Sequence, residues 1–121
     1  MNAVVFAIAG LMAAMGVAAL VRPAVIWAPF GVAPTTPASR SEVRAVYGGF
    51  SLAVTALLVY AVEDASAGVR AGILLALALS FFGMAAGRVV SALVEPRTLL
   101  AWPGFFLVVE IAGGSLLFLA R

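Results

Sequence analysis

The sequence predicts an all-α polytopic membrane protein, a bundle of four transmembrane helices, and two observations lead to this fold class. First, 65% of the residues are hydrophobic and only 10% are charged, whereas a soluble domain carries roughly 25% charged residues. Second, four apolar runs approach the ~20 residues that a helix needs to cross a bilayer. Little of the chain lies outside these runs, so residues 1–121 are predicted to form a single transmembrane domain.

The four predicted helices cover residues 2–21, 41–62, 69–94 and 103–120, with approximate ends. The first run carries no charge and lacks the basic start and the cleavage motif of a signal peptide, so we expect a retained first helix. The longest connection, residues 23–40, contains four prolines and is expected to have no regular helix. The spacing of Ser39 and Glu42 predicts a capping box at the start of the second helix.

Small residues recur along two of the predicted helices. In the first helix they lie three or four positions apart, at Ala3, Ala7, Gly10 and Ala14. In the third helix, Gly83 and Gly87 form a small-xxx-small pair. Such stripes let neighbouring helices approach closely in a membrane, so we expect both to be packing faces.

The arginines predict the orientation of the chain in the membrane. Five of them fall in the first and third connections or at the adjoining helix ends: Arg22, Arg40, Arg44, Arg88 and Arg97. The opposite side carries Arg70 and Arg121. The positive-inside rule therefore places the first and third connections in the cytoplasm and both termini outside.

The composition also excludes several kinds of chemistry. Without cysteine there are no disulfides, thiolate metal sites or cysteine nucleophiles, and without histidine there is no imidazole ligand for haem or zinc. We therefore predict no metal, no cofactor and no catalytic residue. The net charge of +2 is too small to indicate nucleic-acid binding.

Two ionisable residues, Arg88 and Glu110, lie well inside predicted spans and away from the helix ends. Arg88 comes seven residues before Glu95 on the third helix, and Glu110 comes seven residues after Pro103 on the fourth. At ~1.5 Å rise per residue, both charges lie roughly 10 Å inside the same membrane boundary. An unpaired charge at that depth costs ~3 kcal/mol on insertion scales. We therefore predict that Glu110 contacts Arg88 or Arg44.

The second helix enters the membrane from the same boundary and adds further candidates. Arg44 and Tyr47 follow helical spacing on one polar stripe, and Glu42 lies nearer the rim. The candidate ligand-binding residues are therefore Glu42, Arg44, Tyr47, Arg88 and Glu110. Three simpler roles stay open at this point: a structural Arg88–Glu110 ion pair, snorkelling of the charges on the second helix, and an interfacial aromatic role for Tyr47.

The string Glu-Val-Arg-Ala-Val-Tyr-Gly-Gly at residues 42–49, with Gly87-Arg88 on the third helix and Glu110 on the fourth, resembles a known pattern. It is similar to a family of small four-helix bacterial membrane proteins classed only as a domain of unknown function. The resemblance implies four spans and a multi-pass location in the bacterial inner membrane. It implies no activity, so the functional reading depends on the residues themselves.

The leading functional hypothesis is a non-enzymatic bundle whose Arg/Glu/Tyr pocket binds an anionic or amphiphilic small molecule, such as a lipid headgroup or a quinone-like ligand. The alternatives are a proton-coupled transporter with Glu110 as carrier, a structural or assembly subunit, and a membrane enzyme in which Tyr47 or Arg44 stabilises an anion. The enzyme is the least supported, since no nucleophile motif is present. The expected partners are the lipid bilayer, such a small molecule and a second copy of the chain.

Overall fold

The computed structural model describes residues 1–121, and every regular element in it is helical. The helices are α1 (Asn2–Val21), α2 (Ala24–Trp27), α3 (Pro37–Glu63), α4 (Ala67–Val94) and α5 (Trp102–Ala120). By length and composition, α1, α3, α4 and α5 are each able to cross a membrane. The predicted all-α class and the number of long apolar helices are therefore confirmed.

The first connection is more helical than the sequence analysis expected. Pro23 precedes α2, and a 3-10 turn at Ala28–Phe30 follows it. Gly31 then takes a left-handed conformation with φ of 72° and ends the turn, a backbone state that favours glycine because it has no Cβ. The prediction that the prolines exclude helix here was wrong because proline is tolerated just before a helix and in its first turn.

Helix α3 also begins earlier than predicted, at Pro37, and a different pair of residues caps it. Thr36 is the N-cap: its Oγ1 accepts from the backbone N–H of Ser39, and the Ser39 Oγ accepts from the N–H of Thr36, both at 3.1 Å. The predicted Ser39–Glu42 capping box was therefore wrong: the observed box is formed by Thr36 and Ser39, three residues earlier in the chain. Pro37 explains the shift, since its fixed φ suits the first helical position and it has no N–H to satisfy.

The chain divides into two compact units, each described here by itself. The N-terminal unit is Phe6–Tyr60, and the C-terminal unit comprises Met1–Val5 and Ala61–Arg121. The first contains most of α1, all of α2 and most of α3. The second contains α4, α5 and the 3-10 turn Pro96–Leu100 that joins them.

In the N-terminal unit, α1 and α3 run antiparallel and approach closely at two glycines. A Cβ added to Gly16 would lie 2.9 Å from the Leu52 side chain and 3.1 Å from the carbonyl oxygen of Gly48. The Thr55 hydroxyl lies 3.3 Å from the carbonyl oxygen of Ala9 across the same pair of helices, and it shares its one proton between this oxygen and the nearer carbonyl of Ser51. All four residues of the predicted stripe, Ala3, Ala7, Gly10 and Ala14, are exposed, so that packing prediction was wrong within this chain.

In the C-terminal unit, α4 and α5 also run antiparallel, and the aromatic side chains of α4 pack on the glycines of α5. A Cβ on Gly113 would lie 2.9 Å from the Phe81 ring, and one on Gly114 would lie 2.7 Å from the Phe82 ring. The predicted Gly83–Gly87 packing face was wrong within this chain, since nothing lies within 4 Å of a Cβ built on either glycine. The bulky phenylalanines of α4 make the close contact with α5 instead.

Candidate functional site

The C-terminal unit contains a bidentate ion pair between α4 and α5. Arg88 donates from Nε to Oε2 of Glu110 and from Nη2 to Oε1, each at 2.7 Å. Both carboxylate oxygens are thus bound by the two nitrogens of one guanidinium edge, which is the strongest geometry for this kind of pair. The predicted contact between Glu110 and an arginine is confirmed, and that arginine is Arg88.

The antiparallel register of α4 and α5 brings these two charges together. Arg88 lies near the C-terminal end of α4, while Glu110 lies just over two turns into α5. Farther along the same hairpin, Phe81 packs on Gly113, and Arg70 donates from Nη2 to the carbonyl of Ala120 at 3.1 Å. These contacts occur in opposite sequence order on the two helices, as expected for antiparallel packing. The ion pair is therefore one of several contacts along the α4–α5 interface.

The two partners of the pair are not equally accessible. The Glu110 side chain is 6% exposed, whereas that of Arg88 is 26% exposed. The third guanidinium nitrogen of Arg88, Nη1, donates no hydrogen bond within the protein. The carboxylate is therefore buried with a hydrogen bond to each oxygen, while the N–H groups of Nη1 have no partner in the protein.

One aromatic side chain of α5 lies beside the Arg88 guanidinium, and two more pack on that ring. The Cζ of Arg88 lies 5.3 Å from the ring centroid of Phe106, within the range of a cation–π contact. Trp102 and Phe105 pack on Phe106, with centroid separations of 6.2 Å and 5.4 Å respectively. Phe106 was not among the predicted site residues, although its position one helical turn before Glu110 places both on the same face of α5.

Arg44 lies in the N-terminal unit, where it contacts the end of α1. Its Nε donates to the carbonyl oxygen of Leu20 at 3.1 Å. The last four carbonyls of a helix have no partner within that helix, and a cation near them also favours the helix dipole. Helix α1 has no basic residue in its own last turn, so Arg44 supplies this cap from another helix.

Tyr47 and Glu42 also lie in the N-terminal unit. Tyr47 is partly buried, while Glu42 is exposed and forms no ion pair. Arg88 and Glu110 are thus the two predicted site residues that the structure brings into contact. Membership of Glu42, Arg44 and Tyr47 in a common site stays a prediction.

The stretch that carries Arg44 and Tyr47 is a π-helical turn, which sequence reasoning missed. Within Arg44–Gly49 the backbone is wound more loosely than an α-helix, and the N–H of Phe50 donates to the carbonyl of Ala45, five residues earlier. Such turns occur most often as single bulges inside α-helices, frequently at functional sites. The adjacent glycines Gly48 and Gly49 were the one available signal, because glycine weakens regular α-helix.

Two residues beyond this segment, Ser51 buries a hydroxyl with no hydrogen-bond partner. The residue is 1% exposed. Its backbone carbonyl accepts from the Thr55 hydroxyl at 2.9 Å, so the Ser51 side chain alone is unsatisfied. An unsatisfied buried hydroxyl costs about 1–3 kcal/mol, which makes Ser51 a point of local strain in the N-terminal unit.

The chain presents no other constellation of chemical groups. No three carboxylate, histidine or cysteine side chains lie close enough together to hold a metal ion. The acidic residues Glu63, Asp64 and Glu95 are exposed and unpaired. The Arg88–Glu110 pair with its aromatic neighbours is therefore the best-defined candidate site.

A comparison with known families assigns the chain. A family model described as Domain of unknown function (DUF4345) matches residues 1–121. The chain belongs to this family. No curated protein and no solved structure matches the chain. Membership of the DUF4345 family assigns no activity, so the function is inferred from the site.

Proposed function

We propose that this DUF4345 protein is a multi-pass integral membrane protein of the bacterial inner membrane. Between 22% and 33% of the most apolar 18-residue window of each long helix is buried inside the protein. The remainder exposes large apolar side chains such as Leu93, Val108 and Leu119. Exposing them to water costs ~25 cal/mol per Å² of apolar surface, a cost that lipid removes. The bacterial inner membrane is proposed from the resemblance of residues 42–49 described above.

Within this membrane domain, we propose that the Arg88–Glu110 pair binds a small anionic or amphiphilic molecule. The observation that carries this proposal is the unequal burial of the two partners. Glu110 holds the guanidinium in a fixed orientation, and the partly exposed Arg88 still has Nη1 without a hydrogen-bond partner in the protein. An oriented donor with a positive charge is suited to a carboxylate, a phosphate or a quinone oxygen.

The aromatic residues of α5 define the class of ligand further. Phe106 lies against the guanidinium, and the exposed rings of Trp102 and Phe105 extend this surface. A polar group at Arg88 and apolar rings beside it match a molecule with a charged or carbonyl end and a hydrophobic body. Lipid headgroups and quinone-like molecules both have this form.

A structural role is the second candidate, and one observation favours it. Both oxygens of Glu110 accept hydrogen bonds from Arg88, so the pair satisfies the buried carboxylate without any ligand. An ion pair of this kind fixes the register of two helices. The same saturation gives no support to Glu110 as a freely exchanging proton carrier.

Reversal of the pair separates these two roles. The double variant Arg88→Glu with Glu110→Arg keeps an ion pair between α4 and α5 but places the carboxylate on the accessible side. Native mass spectrometry of the protein from mild detergent should show a retained small molecule on the wild-type chain that is absent from the double variant. The unfolding transition of the reversed pair should remain cooperative.

Arg88→Lys is the milder companion variant, because it keeps the charge but loses the bidentate geometry. Arg97→Ala is the matched control, since Arg97 is an exposed arginine with no ion pair in the same unit. Ligand lost from Arg88→Lys and kept by Arg97→Ala would support binding at the pair. A wild-type protein without any retained molecule, or equal retention by every variant, would leave the structural role as the function of the pair.

A further inference from the structure

An open apolar groove lies along α1 in the N-terminal unit. Its volume is about 550 Å³. One face of α1 and the first part of α2 form its lining: Ala13, Ala14, Val17, Ala18, Val21, Arg22 and Val25. Arg22 is the single polar residue among these, and it lies at the end of α1. The groove is thus an open hydrophobic surface depression with a cation at one end.

The charge at this end is not neutralised within the protein. Arg22 is exposed, and its guanidinium forms no hydrogen bond and no ion pair. The Nε of Arg44 donates to the carbonyl of Leu20, two residues before Arg22. Both terminal nitrogens of Arg44, Nη1 and Nη2, form no hydrogen bond. Glu42 is the one carboxylate in residues 6–60, and it is also unpaired. An anion is therefore the complementary partner for this end of the groove.

The length of the groove matches one leaflet of a bilayer. From Arg22 to Ala13 the helix rises roughly 13 Å at ~1.5 Å per residue. Half of a ~30 Å hydrocarbon core is ~15 Å. An acyl chain lying in the groove would therefore extend from the headgroup level at Arg22 to about the bilayer midplane at Ala13.

We propose that this groove binds one acyl chain of an acidic phospholipid, with the lipid phosphate bound by Arg22. The small side chains of Ala14 and Ala18 leave room for the chain, and the free guanidinium binds the anionic headgroup. This inference depends on the membrane insertion proposed above but not on a ligand at Arg88. The groove and the Arg88–Glu110 pair belong to different units, so each site is tested with its own variants.

The test uses the full-length protein in mild detergent, titrated separately with phosphatidylglycerol and with phosphatidylcholine of identical acyl chains. Native mass spectrometry counts the lipids retained per chain. The wild type should retain one phosphatidylglycerol at about fivefold lower lipid concentration than phosphatidylcholine, the factor that corresponds to ~1 kcal/mol per basic residue at a membrane surface. Arg22→Gln should remove this preference, and Ala14→Leu should weaken the retention of both lipids by filling the groove.

Arg97→Gln is the matched control, because it makes the same change of charge at an exposed arginine of the C-terminal unit and should keep the preference. Circular dichroism and thermal unfolding establish that Arg22→Gln and Ala14→Leu remain folded, as expected for exposed positions. Soluble glycerol 3-phosphate should not displace the lipid, since it has no acyl chain.

Three results would overturn the proposal. The first is equal retention of the two lipids by the wild type, and the second is an equal loss of preference in Arg22→Gln and Arg97→Gln. The third is a change in oligomeric state in Ala14→Leu with unchanged lipid retention, which would make the groove a contact between copies of the chain. A wild-type chain that prefers phosphatidylglycerol but retains no molecule whose binding depends on Arg88 would contradict the proposed function alone.

Discussion

The guanidinium of Arg88 and the carboxylate of Glu110 form two parallel hydrogen bonds of 2.7 Å between α4 and α5. Glu110 is the more buried partner, with a side chain that is 6% exposed against 26% for Arg88. This asymmetry means that the two residues should not be equivalent when either is removed. The loss of unfolding free energy on replacing one residue depends on how deeply the remaining, unpaired residue is buried.

Arg88→Ala is expected to lower the free energy of unfolding by about 3 kcal/mol, because Glu110 would remain buried without a partner. Glu110→Gln should cost less, since a partly exposed arginine can turn toward polar surroundings. Equilibrium unfolding in mixed detergent micelles measures both values. The combination of Arg88→Ala with Glu110→Gln completes a double-mutant cycle and gives the coupling free energy between the two residues. Equal costs for the two single variants would argue against the asymmetry.

The close packing of Phe81 on Gly113 leads to a second prediction. Gly113→Ala should lower the free energy of unfolding by about 1–3 kcal/mol, because the added Cβ would overlap a ring that is buried and cannot move freely. The same measurement on Gly83→Ala should show a gain of about 0.5–1 kcal/mol, since that position is open and alanine favours helix. Similar effects at the two glycines would contradict the observed packing.

Two glycines at the crossing of α1 and α3 should also differ. A Cβ on Gly16 would lie 3.1 Å from the backbone oxygen of Gly48, whereas a Cβ on Gly48 would mainly meet the flexible end of Leu20. Gly16→Ala should therefore cost more than Gly48→Ala, with a loss of about 1–3 kcal/mol in unfolding free energy. Gly10→Ala serves as the control, because Gly10 faces open space. A greater loss at Gly48 than at Gly16 would count against this geometry.

Arg44 should stabilise the C-terminal end of α1. Arg44→Ala removes the hydrogen bond to the carbonyl of Leu20 and the favourable charge at the helix end, with an expected loss of about 1 kcal/mol. Thermal unfolding in detergent measures this loss, and hydrogen exchange should increase in the last turn of α1. Glu42→Ala, which changes an exposed and unpaired neighbour, should have no measurable effect. Unchanged exchange at the end of α1 in Arg44→Ala would exclude the capping role.

The Arg88–Glu110 contact could be predicted because it depends on the helix rise and on the number of residues between each charge and the connection that joins α4 to α5. Two antiparallel helices joined by a short connection bring residues equally far from that connection to the same depth. An unpaired charge at that depth is costly, so the equal depth of the two opposite charges is enough to predict that they pair. The aromatic surface beside Arg88 was missed because phenylalanine is common in apolar helices, and the position of Phe106 one helical turn before Glu110 was the one signal for it.

Other features could not be read from local sequence. The glycines that permit close packing depend on the rotation of each helix about its axis, and the side chains of the facing helix determine that rotation. Gly16, Gly48 and Gly113 make close contacts, while Gly10 and Gly83 do not. The π-helical turn at Arg44–Gly49 was missed as well, because the pair Gly48 and Gly49 indicates only a weakened α-helix and not how its backbone hydrogen bonds are rearranged.

The sequence by itself determined the all-α class, four apolar helices long enough to cross a membrane, and the positions along the helices where charges require partners. It did so because helix rise, hydrophobicity and the cost of an unpaired charge act on each segment separately. The tertiary structure alone decided that Glu110 is saturated by Arg88, that Arg44 caps α1, and which glycines pack. These outcomes depend on contacts between helices, whose free energies arise from the facing side chains of both partners and are therefore absent from either segment considered alone.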